Sequence, residues 1–445
     1  MATSKSTRPA RESLEVVLGD KVVGTLFHTR GQFSFAYSTE WLQSSQRFWL
    51  DPELELYAGE HHASDGNFRI FLDSAPDRWG RLLMERREAL QAEAEDRPVR
   101  TLREWDFLIG VQDITRMGAL RFRADSASEF LDNQMLAAPP VTSLPELQTI
   151  SRALEGKSAK SNAQLTRWLA ALVAPGSSLG GARPKANFLQ LDGSLWIAKF
   201  PSREDRRDVA AWEMLLHDMA KDSGIHVPEA HLVWLGGDNT NRTHRCFCVQ
   251  RFDRRDSAKQ FKERRFFVSA MTLLRADDGQ QSHSYQDLAA FIAQHGAAGK
   301  IKEDLEQLFR RAAFNIMVSN RDDHLRNHGF IREATGWRLS PAYDMNPNPE
   351  KYEHALAIAP NDARPNIETL IASSAHYRLS AADAQSIVAQ VAKVVGTWQA
   401  RAALLKIPRS EILGMAVALG FCAAFGTLIP PISVSELNWS ERSQR

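Results

Sequence analysis

Cysteine is scarce in this chain, with Cys246, Cys248 and Cys422 the only three in 445 residues. A disulfide framework needs more, so none is expected, and a reducing, cytoplasmic setting fits. Cys246 and Cys248 stand two apart in an apolar run and share one face if that run is a strand. With no second ligand pair at zinc spacing they read as packing residues. An excess of charge of either sign is also absent. The 55 Lys and Arg offset 54 Asp and Glu to leave +1, which removes any global electrostatic reason to expect nucleic acid or an acidic ligand. Residues 1–12 lack an apolar core of signal-peptide length and read as a polar, basic tail. Long hydrophobic runs are lacking except over 412–429. Its three glycines, four alanines and one cysteine make that stretch only moderately apolar, and no basic cluster marks one side, so a buried C-terminal helix is expected rather than a membrane span. Tandem repeats and low-complexity tracts are missing as well.

The length calls for two or three packed units. The chain opens β-rich: two β-branched runs within 14–27 meet at Gly19-Asp20, a hairpin signal, and 32–37 offers a third strand. Residues 73–81 carry an Asp or Ser cap and Pro76, and predict a helix running on through 82–90. A short helix over 101–111, a strand over 117–122 and a Pro, Ser and Thr-rich linker over 137–145 complete the first third.

Residues 176–185 run Gly-Ser-Ser-Leu-Gly-Gly-Ala-Arg-Pro-Lys. Successive small residues let backbone N–H groups approach an anion, and Arg183 and Lys185 add charge. The run is neither a Walker A sequence nor a dinucleotide fingerprint, and an ordinary turn would also fit. Two strands, 186–191 and 194–200, follow around Asp192-Gly193. Alternation places Lys199 on the face of Leu195 and Ile197. The helix expected over 204–223, closed by Gly224, has Glu213 inside its apolar stripe of Val209, Trp212, Leu216, Met219 and Ala220. A lysine and a glutamate turned inward on neighbouring elements match the pair with which kinases grip phosphates, although a structural ion pair would look the same. Strands over 232–235 and 245–249 lead into Gln250-Arg251-Phe252-Asp253-Arg254, placed where a hinge would offer backbone groups to adenine. Beyond Phe267 the pattern turns helical, over 285–295, 301–318 and 381–404.

The stretch Ser319-Asn320-Arg321-Asp322-Asp323-His324-Leu325-Arg326-Asn327 follows the helix at 301–318. Protein kinases place a catalytic Asp five residues before a metal-binding Asn, the spacing of Asp322 and Asn327. A hairpin over 329–339 and then Asp344, in Pro341-Ala342-Tyr343-Asp344, supply the place for a second metal-binding acid. Alone, such a spacing also occurs in Asx-rich turns.

Together these motifs resemble the HipA-type toxin kinases, bacterial serine/threonine kinases of toxin–antitoxin modules. The resemblance rests on Ser178-Leu179-Gly180-Gly181-Ala182 with Lys185, Ala198-Lys199-Phe200-Pro201, Glu213 before Gly224-Ile225-His226-Val227-Pro228, Gln250 to Arg254, Asn320 to Asn327, and Ser340 to Asp344. It implies an α+β, two-lobed protein-kinase-like fold. An N-terminal β-rich module (1–140), the ATP-binding part of the N-lobe (141–255) and a helical C-terminal lobe (256–445) would make it up. It implies ATP and Mg²⁺ as cofactors, with Gly180, Gly181, Ala182, Arg183, Pro184 and Lys185 around the phosphates and Lys199, oriented by Glu213, on them. Gln250, Arg251 and Phe252 would meet adenine. Asp322 would accept the proton, and His324, Leu325, Arg326, Asn327, Tyr343, Asp344, Met345 and Asn346 would complete the nucleotide site, Asn327 and Asp344 holding metal. Ser178 matches the serine this family autophosphorylates as self-inactivation. Arg183 stands where Gln is common and Gln250 where Glu is common. The implied partners are a helix-turn-helix antitoxin, operator DNA only through it, and a translation-related protein substrate such as an aminoacyl-tRNA synthetase. A catalytically weak corepressor binding an antitoxin on DNA is the alternative of another class, against which the intact Lys199, Asp322, Asn327 and Asp344 favour the enzyme; a kinase for a small metabolite is a third reading, which the two-lobed architecture would also allow.

Overall fold

In the computed structural model, residues 12–131, 141–155, 183–235, 245–254, 263–279 and 282–419 are described. Ser178, Gly180, Gly181 and Ala182 lie outside them, as does the 412–429 stretch beyond Leu419.

The alternating residues of the N-terminal third form β1 (Glu12–Leu18), β2 (Lys21–Thr29) and β3 (Gln32–Tyr37), then α1 (Thr39–Gln43), β4 (Glu60–His62), α2 (Arg69–Asp73), α3 (Arg78–Ala94), α4 (Glu104–Ile109) and β5 (Leu120–Arg123). The antiparallel sheet runs β4-β3-β2-β1-β5. The helix expected from residue 73 begins at Arg78. Asp77 is its cap, accepting from the Gly80 N–H at 2.8 Å, with Pro76 just outside. Asp73 instead ends α2, and its carboxylate accepts from both the N–H and the hydroxyl of Ser269.

A second antiparallel sheet, ordered β6-β7-β9-β8, is made of β6 (Lys185–Leu189), β7 (Leu195–Lys199), β8 (Ala230–Trp234) and β9 (Arg245–Gln250). Gly193, at φ +82°, turns β6 into β7 where a side chain would be strained. Period-2 alternation divides this sheet. Phe188, Trp196, Ala198, Phe200, Cys246 and Cys248 pack on Trp79 and Leu83 of α3 and on Leu147, Ile150 and Leu154 of α5 (Leu144–Glu155). Ile197, Lys199, Phe247 and Val249 take the other face. The Cys246 and Cys248 sulfurs lie 3.9 Å apart as buried thiols, the packing role expected of them. The end of the expected linker belongs to α5, with Pro145 in its first turn, where a missing N–H costs nothing.

Helix α6 (Val209–Asp222) starts five residues later than expected, because Asp208 caps it through the Ala211 N–H at 3.0 Å. After it come β10 (Phe267–Ser269), α7 (Ala270–Leu273), α8 (Tyr285–His295), α9 (Ile301–Met317), β11 (Gly329–Glu333), β12 (Gly336–Leu339), α10 (Ile367–Ala372), α11 (Ala381–Val395), α12 (Trp398–Leu404) and α13 (Arg409–Leu419). The hairpin β11–β12 gains β10 as a third strand, which the sequence pattern did not reveal. The single helix expected over 381–404 is two. Gly396 ends α11, and the break sets Trp398 beside Trp212 of α6, ring centres 6.1 Å apart. The result is the expected α+β architecture: an N-terminal sheet module, a sheet-and-helix lobe, a helical lobe, and a cleft between the last two. Among the described residues no helix is long and apolar enough to cross a membrane.

The module is joined to the segment after β9 by buried charge. Asp253 accepts from Arg251 Nε and Nη2 (2.9 and 2.7 Å), Arg254 Nη1 (2.6 Å) and the Gly118 N–H (2.8 Å). Arg251 reaches on to the Thr115 carbonyl and Asn187. Burial alone would raise the Asp253 carboxyl, but the facing guanidiniums of Arg251 and Arg254 overcome it and hold the group well below the usual carboxylate range. A depressed folded value means stability that is complete above the unfolded pKa, about 3.9, and fades as acid titrates the folded group. Asp253→Asn should therefore cost about 3–5 kcal/mol in urea unfolding at pH 7, the loss expected when a buried ion pair is broken. The gap from wild type should narrow as the pH is taken below about 4.

Candidate active site

The inward face of the second sheet and the loop after β12 enclose one cleft. Its lining includes Ile197, Lys199, Glu213, Phe247, Val249, Gln250, Phe252 and Met345. Lys199 is the last residue of β7 and Glu213 lies in the second turn of α6, so the register of one and the cap of the other decide whether they meet. They do: Lys199 Nζ donates to Glu213 Oε1 at 2.5 Å and to Asp344 Oδ1 at 2.8 Å. Glu213 is almost wholly buried, Lys199 is 17% exposed and Asp344 32%. Burial would strip Lys199 of its charge, but the Asp344 and Glu213 carboxylates reverse that and hold its proton more tightly than usual. Burial pushes Glu213 up despite Lys199, whereas at Asp344 the Lys199 ammonium outweighs burial and lowers the carboxyl. Asp344 has φ +59°, a left-handed conformation that a non-glycine residue adopts at a cost and that recurs at functional sites.

Apolar side chains and a stacked pair form the rest of the cleft. Phe252, after β9, stacks on Tyr343 of the helical lobe with centroids 5.6 Å apart, and the Tyr343 hydroxyl donates to the Arg326 carbonyl at 2.7 Å. These faces suit a flat heterocycle. The N–H groups of Gln250 and Arg251 already donate to the carbonyls of Glu229 (2.8 Å) and Leu195 (3.0 Å), so a base edge here would have to meet other backbone groups. Arg251 sends its side chain away into the Asp253 network.

Beside the cleft, α9 delivers the 319–327 loop. The helix is buried along nearly its whole length, and it ends in Ser319 at φ +53°, whose hydroxyl donates to the Ala418 carbonyl at 2.6 Å. The adjacent acids Asp322 and Asp323 face opposite ways. Asp323 is buried, its Oδ2 accepting from Asn315 Nδ2 at 3.0 Å and from the Tyr285 hydroxyl, with His328 Nε2 at 2.8 Å. Burial would raise it, but His328 and these donors keep it below the ordinary range. Asp322 is open to solvent, its Oδ1 in an ion pair with Lys351, and its carbonyl accepts from Asn327 Nδ2 at 3.4 Å. That bond uses one N–H of the Asn327 amide and does not involve its oxygen.

Thus Lys185, Lys199, Glu213, Gln250, Arg251, Phe252, Tyr343, Asp344 and Met345 share the cleft. Asn327 lines a smaller cavity that Tyr343 and Met345 also border. Other expected residues face elsewhere. Arg183 makes a bidentate pair with Asp205 (2.5 and 2.6 Å), Leu325 belongs to the core, and Arg326 Nη1 reaches Asp278 at 3.1 Å. Pro184 precedes β6, and its carbonyl accepts from the Phe200 N–H at 2.9 Å. Lys185 meets Asp77 of the N-terminal module at 2.8 Å, both almost fully buried. Sequence reasoning missed Asp77 and Lys351. Asp77 carried a cap signal, but nothing in a one-dimensional pattern links it to a lysine more than a hundred positions away.

The donor set fits a hard cation held together with phosphates. Among the described residues no group of three His, Cys, Asp or Glu could cage a metal. One carboxylate and one amide oxygen are what Mg²⁺ takes when phosphates and water complete its shell. Buried polar atoms without protein partners, Asn346 Oδ1 and His324 Nδ1, lie in the same two loops.

Comparison with known proteins places the chain in a family and gives it a fold neighbour. The family profile described as HipA-like C-terminal domain matches residues 177–398, and that described as HipA N-terminal domain matches 14–130. A Haemophilus influenzae protein named "Putative kinase" is 30% identical over 206 residues, 42% of this chain and 59% of that protein. The Shewanella oneidensis "Serine/threonine-protein kinase toxin HipA" is 24% identical over 211 residues, 42% of this chain and 47% of that protein. The chain thus spans about half the length of the curated relatives it matches. In fold it is similar to a chain of the Shewanella oneidensis HipA, HipB and operator DNA complex. There the TM-score is 0.63 at 19% identity, over 92% of this chain and 96% of that one.

Lys199→Met should leave the buried Glu213 without its cation and cost about 3–5 kcal/mol in urea unfolding. Adding Glu213→Gln should restore most of that stability but not binding of a fluorescent ATP analogue, which separates the structural from the ligand-binding share of the pair.

Proposed function

This chain belongs to the HipA family of toxin kinases, and from its site we propose an ATP- and Mg²⁺-dependent protein serine/threonine kinase that acts as the toxin of a toxin–antitoxin module. The observation that carries the reading is the Lys199 ammonium held between Glu213 and Asp344 at the mouth of an apolar cleft. In a kinase the lysine grips the α- and β-phosphates, the glutamate orients it, and the aspartate binds metal.

On this reading adenine occupies the space between Ile197, Val249 and the Phe252–Tyr343 stack, while Lys199 turns from Asp344 to the phosphates. Asp344 and Asn327 would hold Mg²⁺, which when bound neutralises charge on the phosphate oxygens. The acceptor hydroxyl gives its proton to Asp322 as its oxygen bonds the γ-phosphorus, and the bond from that phosphorus to the ADP oxygen breaks, ADP leaving with the electron pair. Asp322 is suited to this work because it is the loop acid that solvent reaches, whereas Asp323 is saturated with donors.

The family resemblance supports a helix-turn-helix antitoxin as partner, with operator DNA met only through it, and a translation-related protein substrate. The Shewanella HipA, by its name, assembles with HipB and operator DNA. Self-inactivation by phosphorylation of Ser178 belongs to the same reading. Close to two added negative charges beside the phosphate loop would repel bound ATP.

Asp322→Asn should lower phosphate incorporation from radiolabelled Mg–ATP by about 100-fold or more, with fold and nucleotide affinity kept. Equal incorporation by a folded variant would refute the assignment. Mass spectrometry after incubation with Mg²⁺ and ATP should find phosphate on Ser178 and weaker ATP binding in the phosphorylated sample. An unmodified Ser178 would remove the self-inactivation part alone.

A further inference from the structure

Lys351 pairs with the proposed proton acceptor, although the sequence pattern assigned it no role. It sits on a segment laced along the catalytic loop. The Asn348 N–H donates to the Ser319 carbonyl at 2.8 Å, Ala355 N–H to Arg321 at 3.0 Å, and Leu356 N–H to Asp323 at 2.9 Å. The Arg321 guanidinium returns to the Lys351 carbonyl, and Arg207 Nη2 holds the Pro347 carbonyl at 2.9 Å. Pro347 and Pro349 restrict the approach further. The backbone beneath Lys351 is therefore fixed to the same residues that fix Asp322, and its ammonium rests on Asp322 Oδ1.

Stability does not explain this arrangement. The two side chains are 47% and 56% exposed, and an ion pair of that kind contributes about 0–1 kcal/mol. Orientation does. The buried bonds of Asp323 hold the loop backbone, yet they leave the torsions of the Asp322 side chain unset, and a carboxylate free to rotate in solvent makes a poor proton acceptor for a hydroxyl that must arrive in line.

We propose that Lys351 is a positioning residue for phosphoryl transfer, holding Asp322 Oδ1 so that Oδ2 is the oxygen presented to the acceptor hydroxyl. The inference rests on Asp322 as proton acceptor, as argued above. In the step itself the hydroxyl proton passes to Asp322, the hydroxyl oxygen bonds the γ-phosphorus, ADP departs, and Lys351 keeps its own protons throughout.

Full-length wild type, Lys351→Met, Lys351→Arg, Asp322→Asn and the Lys351→Met/Asp322→Asn double variant are compared with radiolabelled Mg–ATP. Transfer to the chain itself and to water is followed, and affinity is read with a fluorescent ATP analogue. Lys351→Met should lower kcat by about 10- to 100-fold with KM for ATP and analogue affinity within about twofold, and Lys351→Arg should recover most of the rate. The double variant should be no slower than Asp322→Asn alone, since a residue that acts through Asp322 has nothing left to position. Thermal unfolding should be unchanged in Lys351→Met. A wild-type rate in Lys351→Met beside an inactive Asp322→Asn would overturn the Lys351 role alone. Equal rates for the methionine and arginine variants, or affinity lost in step with rate, would overturn it too. A fully active Asp322→Asn would overturn both this inference and the assignment beneath it.

Discussion

An ammonium ion cannot stay charged inside a protein without fixed anions, and this constraint at Lys199 governs the arrangement of both lobes. Glu213 must come from α6, and Asp344 must come from the loop after β12 in the other lobe. The cap at Asp208 sets where α6 starts and therefore which face carries Glu213. The left-handed backbone at Asp344 sets the direction of its carboxylate. Such strain persists only where the surroundings over-determine it, and the stack of neighbouring Tyr343 on Phe252, with its hydroxyl anchored on Arg326, does so here. One cation and one aromatic pair thus join the two lobes at the cleft, in addition to contacts such as Trp212 with Trp398 and Arg207 with the Pro347 carbonyl.

The tandem acids show how a single loop can bury one carboxylate as support and leave its neighbour open to solvent. Asp323 has traded solvent for donors on α8, on α9 and after the loop itself, so it holds the turn. Asp322 keeps its carboxylate outside this network. One residue of slip would exchange the two, burying the acid that solvent now reaches. The left-handed Ser319, tied to Ala418, sets that register at the point where α9 ends.

Local periodicity made much of this legible. Alternation in 194–200 placed Lys199 with Ile197, and the apolar stripe of α6 contained Glu213, because burial of one face is what forms such elements at all. Boundaries were less legible where two capping residues competed. Asp73 and Asp77 are both good caps, and only the second has its helix ahead of it, since the first is engaged by Ser269 far along the chain. The break at Gly396 was invisible to an apolar pattern that continues through it, and it shows only in the fold, where Trp398 comes to lie beside Trp212. Pairs such as Lys185 with Asp77, Asp253 with Gly118 and Lys351 with Asp322 leave no trace in any period, because the fold and not the sequence interval brings them together.

The pairing of Lys185 with Asp77 bears on how a nucleotide could be held. Lys185 and Lys199 are cations of the cleft, yet Asp77 faces the first and Glu213 and Asp344 the second, so carboxylates already offset both ammoniums before any phosphate arrives. A polyphosphate entering such a site meets lysines that are already neutralised, and is held better when positive charge comes with it. On the proposed reading the lysines serve geometry more than attraction, and the divalent cation that accompanies ATP supplies the missing charge against Asp344 and Asn327. The N-terminal module then belongs to the site electrostatically, since Asp77 at the start of α3 holds one of the two lysines, and Trp79 Nε1 donates to the carbonyl of that same Lys185 at 3.1 Å. A change in the seating of the module would alter the charge a nucleotide meets, without any residue of the module touching the reacting atoms.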